Sequence, residues 1–199
     1  MAARSAIGRS VREHGMADPG RVFRERALDF RSLCAINAAF LRGRLAATPY
    51  HAGPIAGETR RLLPALLRLH RLGFLSVTGQ PPKPGTQRSY ISGFMPRARY
   101  AAFVAFVSAP RFRARAYVSA HRRPGVVGFT TFPSARVTVT RAGRRPITCV
   151  RPEDVIGLDD FEGFPRVLGI LTRECCFVTL VGARFGSGAV EDVLLAFLG

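Results

Sequence analysis

The chain has 199 residues, is 47% hydrophobic and carries a formal charge of +17, with a pI near 11.5. That length and apolar content suit one domain with a real core, and the absence of any run of roughly 18 apolar residues excludes a membrane-spanning helix. Lys83 is the only lysine, so the charge is almost wholly arginine; with the alanine, glycine and proline load this reads as the coding bias of a GC-rich genome, without excluding nucleic acid as a partner.

The first residues, MAARSAIGRSVREHG, are basic and lack the apolar core of a secretion signal, so residues 1–24 are expected to form a disordered arm ahead of a single domain over 25–199. A helix is expected over Arg26–Leu45, with Leu28, Phe30, Leu33, Ile36, Phe40 and Leu41 available to the core. Pro49, Gly53 and Pro54 mark a loop after it.

The stretch Gly57–Phe94 is the most informative. Leu62, Leu63, Leu66, Leu67 and Leu69 share one helical face and Arg60, Arg61, Arg68 and Arg71 the other. Thr59 suits the N-cap and Glu58 the positive end of the helix dipole. Pro64 implies a bend or a later start, and Gly73 a left-handed stop. A strand follows over Phe74–Gln80, whose alternation puts Phe74, Ser76, Thr78 and Gln80 on one face. Pro81, Pro82 and Pro84 end it, and a second strand runs from Gln87 to Phe94. The pair reads either as one wall of a polar pocket or as an ordinary solvent-facing hairpin.

Pro96 opens another helix, with Tyr100, Phe103, Val104 and Val107 as core residues, and Pro110 ends it. Arg111–Tyr117 alternates arginine with Phe112, Ala114 and Tyr117, as an edge strand would; the same interleaving suits a stacking platform for bases. Antiparallel strands are expected over Ala114–Val118, Val126–Phe132, Val137–Thr140 and Ile147–Val150. The carboxylates Glu153, Asp154, Asp159, Asp160 and Glu162 read mainly as a solvated surface beside arginines, with a metal site as the rarer alternative.

Cys176–Val181 is expected to be a strand, 182–188 a glycine-rich loop and Ala189–Leu198 a helix. No P-loop lysine or hydroxyl is present, and Glu191 and Asp192 in the helix's first turn would repel an anion. Cys34, Cys149, Cys175 and Cys176 show no metal-ligand spacing, and with no secretion signal they point to a reducing, intracellular compartment, cytoplasmic or nuclear. His14, His51, His70 and His121 are scattered and accompany no nucleophile, so nothing supports an enzyme and no catalytic residue is assigned.

Glu58-Thr59, the leucine helix, G-F-L-S-V-T-G-Q-P and, after a loop, Q-R-S-Y-I-S-G-F together resemble the C-terminal regulatory domain of eukaryotic methylenetetrahydrofolate reductase over about 40 residues. A similar pattern occurs in short stand-alone bacterial and viral proteins. The resemblance implies an adenosyl-type ligand, S-adenosylmethionine in that family, at Glu58, Thr59, Ser76 and Gly79. Gly79 stands where the family has serine. The chain has no room for the reductase barrel, so the enzymatic activity is not implied. The reading is an α+β domain, a mixed or largely antiparallel sheet flanked by about four helices, that binds a small molecule without chemistry through Glu58, Thr59, Ser76, Thr78, Gly79, Gln80 and Gln87. Its alternative is a basic protein, of viral type, that keeps the fold without the ligand and binds nucleic acid or an acidic partner.

Overall fold

The computed structural model describes residues 19–53, 55–155, 158–186 and 190–199. The N-terminal fifteen-residue basic stretch and the end of the 182–188 glycine loop lie outside the described residues. Two helices come first, α1 (Pro19–Arg26) and α2 (Phe30–Leu41). The helix expected over Arg26–Leu45 is therefore shorter at both ends. Asp29 Oδ1 accepts the Ser32 N–H at 2.6 Å while Ser32 Oγ accepts the Asp29 N–H at 3.0 Å, and this reciprocal cap sets the start of α2. Leu28 falls in the link before it and is 65% exposed. Val22 and Phe23 of α1 are buried, so the packed domain already includes residues assigned to the arm.

A small hairpin follows, β1 (Ala47–Thr48) and β2 (His51–Ala52), turning at Pro49-Tyr50. A 3₁₀ turn over Thr59–Leu62 leads into α3 (Leu63–Arg71). Thr59 thus opens that turn rather than capping α3. Pro64 sits in the first turn of α3, where a missing N–H breaks no helical bond. Gly73, at φ +83°, turns the chain into β3 (Leu75–Gln80). Next come β4 (Tyr90–Pro96), α4 (Tyr100–Ser108), the one-turn α5 (Pro110–Arg113), β5 (Ala116–Arg123), β6 (Val126–Thr130), β7 (Val137–Ala142), β8 (Arg145–Val150), α6 (Pro165–Glu174), β9 (Cys175–Gly182) and α7 (Val190–Leu198). The alternation at Arg111–Tyr117 is helical at its start, not extended, because Pro110 supplies a φ suited to a first helical turn.

The main sheet has the order β3-β4-β9-β5-β6 and every neighbour is antiparallel. β4 and β5 consequently run parallel on either side of β9, joined by α4 and α5 as a split β-α-β unit. A separate two-stranded sheet, β7-β8, packs on one end. The α+β class and single domain expected from the sequence are what the chain adopts.

The three central strands alternate cleanly. Ile91 and Met95 of β4, Ala116, Val118 and Ala120 of β5, and Cys176, Val178 and Leu180 of β9 face a core shared with Leu66 and Leu69 of α3, Phe103 and Val107 of α4, and Val193 and Leu194 of α7. On the opposite face, Phe94, Cys175 and Phe177 meet Phe30, Leu33 and Phe40 of α2 and Val167, Ile170 and Leu171 of α6. Phe94 and Phe177 meet edge to face with centroids 4.9 Å apart, a contact contributing about 0.5–1.5 kcal/mol beyond area burial. Cys175 and Cys176 therefore point to opposite cores, as neighbours on a strand must.

Candidate functional site

The register of β3 against β4 slips between Ser76 and Thr78. This bulge at Val77 overturns the expected alternation, because an added residue moves the following side chains to the other face. Ser76 turns toward α3. Gly79 lies against Leu62 and Ile91, and Gln80 turns to β7, its Nε2 donating to the carbonyls of Arg88 (3.0 Å) and Val139 (3.2 Å). Gln80 is thus a tie between the two sheets, not part of a wall with Ser76 and Thr78.

A cavity of about 150 Å³ opens beside the bulge. It is lined on the polar side by Asn37, Tyr50, His51, Thr59, His70, Ser76 and Thr78, with Gly79 at its edge, and on the apolar side by Phe40, Leu41, Ile55, Leu66 and Val77. Thr59, Ser76, Thr78 and Gly79, named from the sequence, converge here. Glu58 is exposed and lines neither this cavity nor its neighbour, and Gln87 engages β7 through a backbone bridge to Thr140 instead. Asn37, Tyr50 and His51 escape the sequence reading because they come from other segments. The available signal is Asn37, the polar residue on the buried face of an apolar helix.

Hydrogen bonds hold these side chains in place. Ser76 Oγ lies 2.8 Å from His70 Nε2, and the Ser76 N–H donates to the same nitrogen at 3.2 Å. Nε2 is therefore an acceptor and the ring proton belongs on Nδ1. Burial lowers the His70 pKa to about 4, so the ring is neutral. The Tyr50 hydroxyl donates to Asn37 Oδ1 and approaches the Ser76 carbonyl at 3.2 Å, while Asn37 Nδ2 donates to the Leu33 carbonyl at 2.9 Å. His51 stacks edge-on against Phe40 at 5.3 Å, and its buried Nε2 has no partner.

Ser76 and His70 have the separation of a nucleophile and its base, but the rest of that chemistry is missing. Nε2 already receives a backbone N–H, no carboxylate among the described residues orients Nδ1, and a ring with so low a pKa is a poor proton acceptor near neutral pH.

The cavity adjoins a larger open groove of about 500 Å³, with which it shares Phe40, Leu41 and Ile55. Leu45, Ala46 and Leu63 extend the groove and Arg60 stands beside it. No acidic side chain is among the described residues lining either space.

A second buried polar group spans the sheet. Ser92, Thr179 and Ser119 are register neighbours on β4, β9 and β5 and are almost fully buried. Ser119 Oγ and His121 Nε2 both donate to the Pro152 carbonyl, at 2.5 and 2.7 Å. No cavity reaches this row among those described, and it joins the 151–155 loop to the sheet.

Among the described residues no group of three or more His, Cys, Asp or Glu is placed to hold a metal ion. In the acidic segment, Arg151 pairs with Glu153 at 3.5 Å and Asp154 at 2.9 Å. No helix among the described residues is long and apolar enough to cross a membrane.

No curated protein matches the chain. A family model described as Domain of unknown function (DUF6919) matches residues 21–161, which include α2, the β1–β2 hairpin, α3 and β3 and hence every described residue that lines the cavity. With more than half of its length matched, the chain belongs to this family.

Proposed function

We propose that the chain is a non-catalytic small-molecule-binding module whose ligand places a hydrogen-bonding head in the Ser76–His70–Asn37 cavity and an apolar portion in the groove over Leu45 and Leu63. The observation that carries this reading is convergence: polar side chains from α2, the β1–β2 turn, the 3₁₀ turn, α3 and β3 meet on one hollow that continues into an apolar trough.

At about 150 Å³ the inner space is smaller than the roughly 300–1,000 Å³ typical of drug-sized ligands; the adjoining groove brings the available room into that range. An adenosyl-type ligand fits this division, with the base or the ribose inside. The absence of a lining carboxylate favours a ligand without exposed positive charge at the cavity, so a neutral adenosine derivative suits it better than the sulfonium of S-adenosylmethionine.

The test is a thermal-shift titration with adenosine, S-adenosylhomocysteine and S-adenosylmethionine. Saturable stabilisation is expected. Ile55→Trp, which fills the wall shared by the two spaces, should abolish it without lowering the melting temperature of the free protein, whereas Glu58→Ala should leave it unchanged. Stabilisation that survives Ile55→Trp, or that none of the three compounds produces, defeats the adenosyl reading.

A further inference from the structure

A second cleft lies between the β7–β8 hairpin, Tyr117 of β5 and the segment after β9. It encloses about 290 Å³ and is lined by Arg88, Arg136, Arg141 and Arg144 together with Tyr117 and Phe185. No acidic side chain is among its described lining residues, and none of the four arginines takes part in an ion pair among the described residues. What sets this cleft apart in a chain rich in arginine is that four of them border one concave space.

Two of the guanidinium groups are held in place. Arg88 Nη1 donates to the carbonyls of Gly182, at 2.8 Å, and Ala183, and its plane lies 4.5 Å from the Phe185 centroid and 5.6 Å from that of Tyr117. Its buried Nε has no partner. Arg141 Nε donates to the Gly85 carbonyl at 2.7 Å, and the same guanidinium stacks 4.1 Å from the Phe185 centroid. Phe185 therefore carries two cations. Arg136 and Arg144 complete the ring from the exposed turns bordering β7, without hydrogen bonds from their own guanidiniums.

Guanidinium forks around a concave space, two of them held in place, match the tetrahedral, multiply charged oxygens of phosphate. Four of them exceed what one phosphate needs. The aromatic rings favour a compact anion over a strand of nucleic acid, because Phe185 is engaged by the guanidinium groups of Arg88 and Arg141 and Tyr117 by that of Arg88. We propose that this cleft is an anion site for a small pyrophosphate-bearing molecule, separate from the Ser76–His70 cavity.

Calorimetric titration with inorganic pyrophosphate at constant ionic strength tests the assignment. One saturable site is expected, weakened at least about tenfold in Arg136→Gln/Arg144→Gln, whose replaced side chains make no packing contact with the core. Arg113→Gln/Arg123→Gln removes the same net charge from exposed positions elsewhere and should bind like the parent. Absence of a saturable site overturns the proposal, as does equal weakening by both double variants, which would mean a diffuse charge effect. A short single-stranded oligonucleotide that binds through Arg136 and Arg144 while pyrophosphate does not would also overturn it, in favour of a nucleic-acid backbone.

Discussion

Protonation of His70 should destabilise the fold on mild acidification. The ring is buried, its Nε2 accepts from Ser76, and burial lowers its pKa from an ordinary 6.5 to about 4. In the unfolded chain the ring binds a proton near pH 6.5, whereas in the folded chain it resists until about pH 4. The unfolded state therefore holds more protons between these values, so stability is full above the upper one and falls as pH drops toward the lower. The size follows from the two values: about 2 kcal/mol is lost by about pH 5, approaching about 3 kcal/mol once both forms are protonated. Urea denaturation across that range should show the loss. His121, whose pKa is also lowered by burial, pushes in the same direction, so His70→Gln is the informative comparison. The variant should start less stable at about pH 8, having lost the ring's packing, yet show a shallower decline that reflects one fewer proton taken up on unfolding. Parent and variant declining in parallel would refute the reasoning.

Gly93→Ala should be severely destabilising, by about 3 kcal/mol or more in chemical denaturation, because a Cβ there would collide with the Leu75 carbonyl and the Phe74 ring in the centre of the sheet. Gly79→Ser should instead be tolerated within about 1 kcal/mol by thermal melting: its Cβ would meet Tyr90, Leu62 and Ile91 at ordinary distances of 3.5–3.7 Å. Tyr50→Phe should lower stability by about 1–3 kcal/mol, since it leaves Asn37 Oδ1 buried without its donor; Asn37→Leu added to it should cost less than the sum of the two, as a double-mutant cycle would show.

Much of the framework was readable where local pattern and tertiary packing agree. The leucine face of α3, its proline near the start, Gly73 at its end and the alternating strands all express short-range geometry. The expected helix overruns α2 at both ends because Leu45 still fits the helical period although Arg42-Gly43-Arg44 already ends the helix, while the Asp29–Ser32 cap that sets its start spans only four residues. The bulge at Val77 was invisible, since an alternating segment carries no mark of which residue will be left unpaired. That one slip separates Gln80 from Ser76. Thr59, Ser76 and Gly79 are legible through the family resemblance and Thr78 through the alternation of its strand, whereas Asn37, Tyr50 and His51 reach the same hollow from another helix and the β1–β2 hairpin, which neither signal covers. In sequence Arg88 is an ordinary residue of an alternating strand; its significance depends on Phe185, almost a hundred positions later.

The placement of β9 has a consequence for how the molecule is made. Its partners β4 and β5 end some 80 and 50 residues earlier in the chain, so during synthesis both wait with unsatisfied amides until position 182 has left the ribosome. The nascent protein must carry two open strand borders and the apolar Ile91, Phe94 and Met95 until β9 emerges, which makes premature edge pairing the main hazard of its biogenesis and β9 the strand that commits the rest to the native topology.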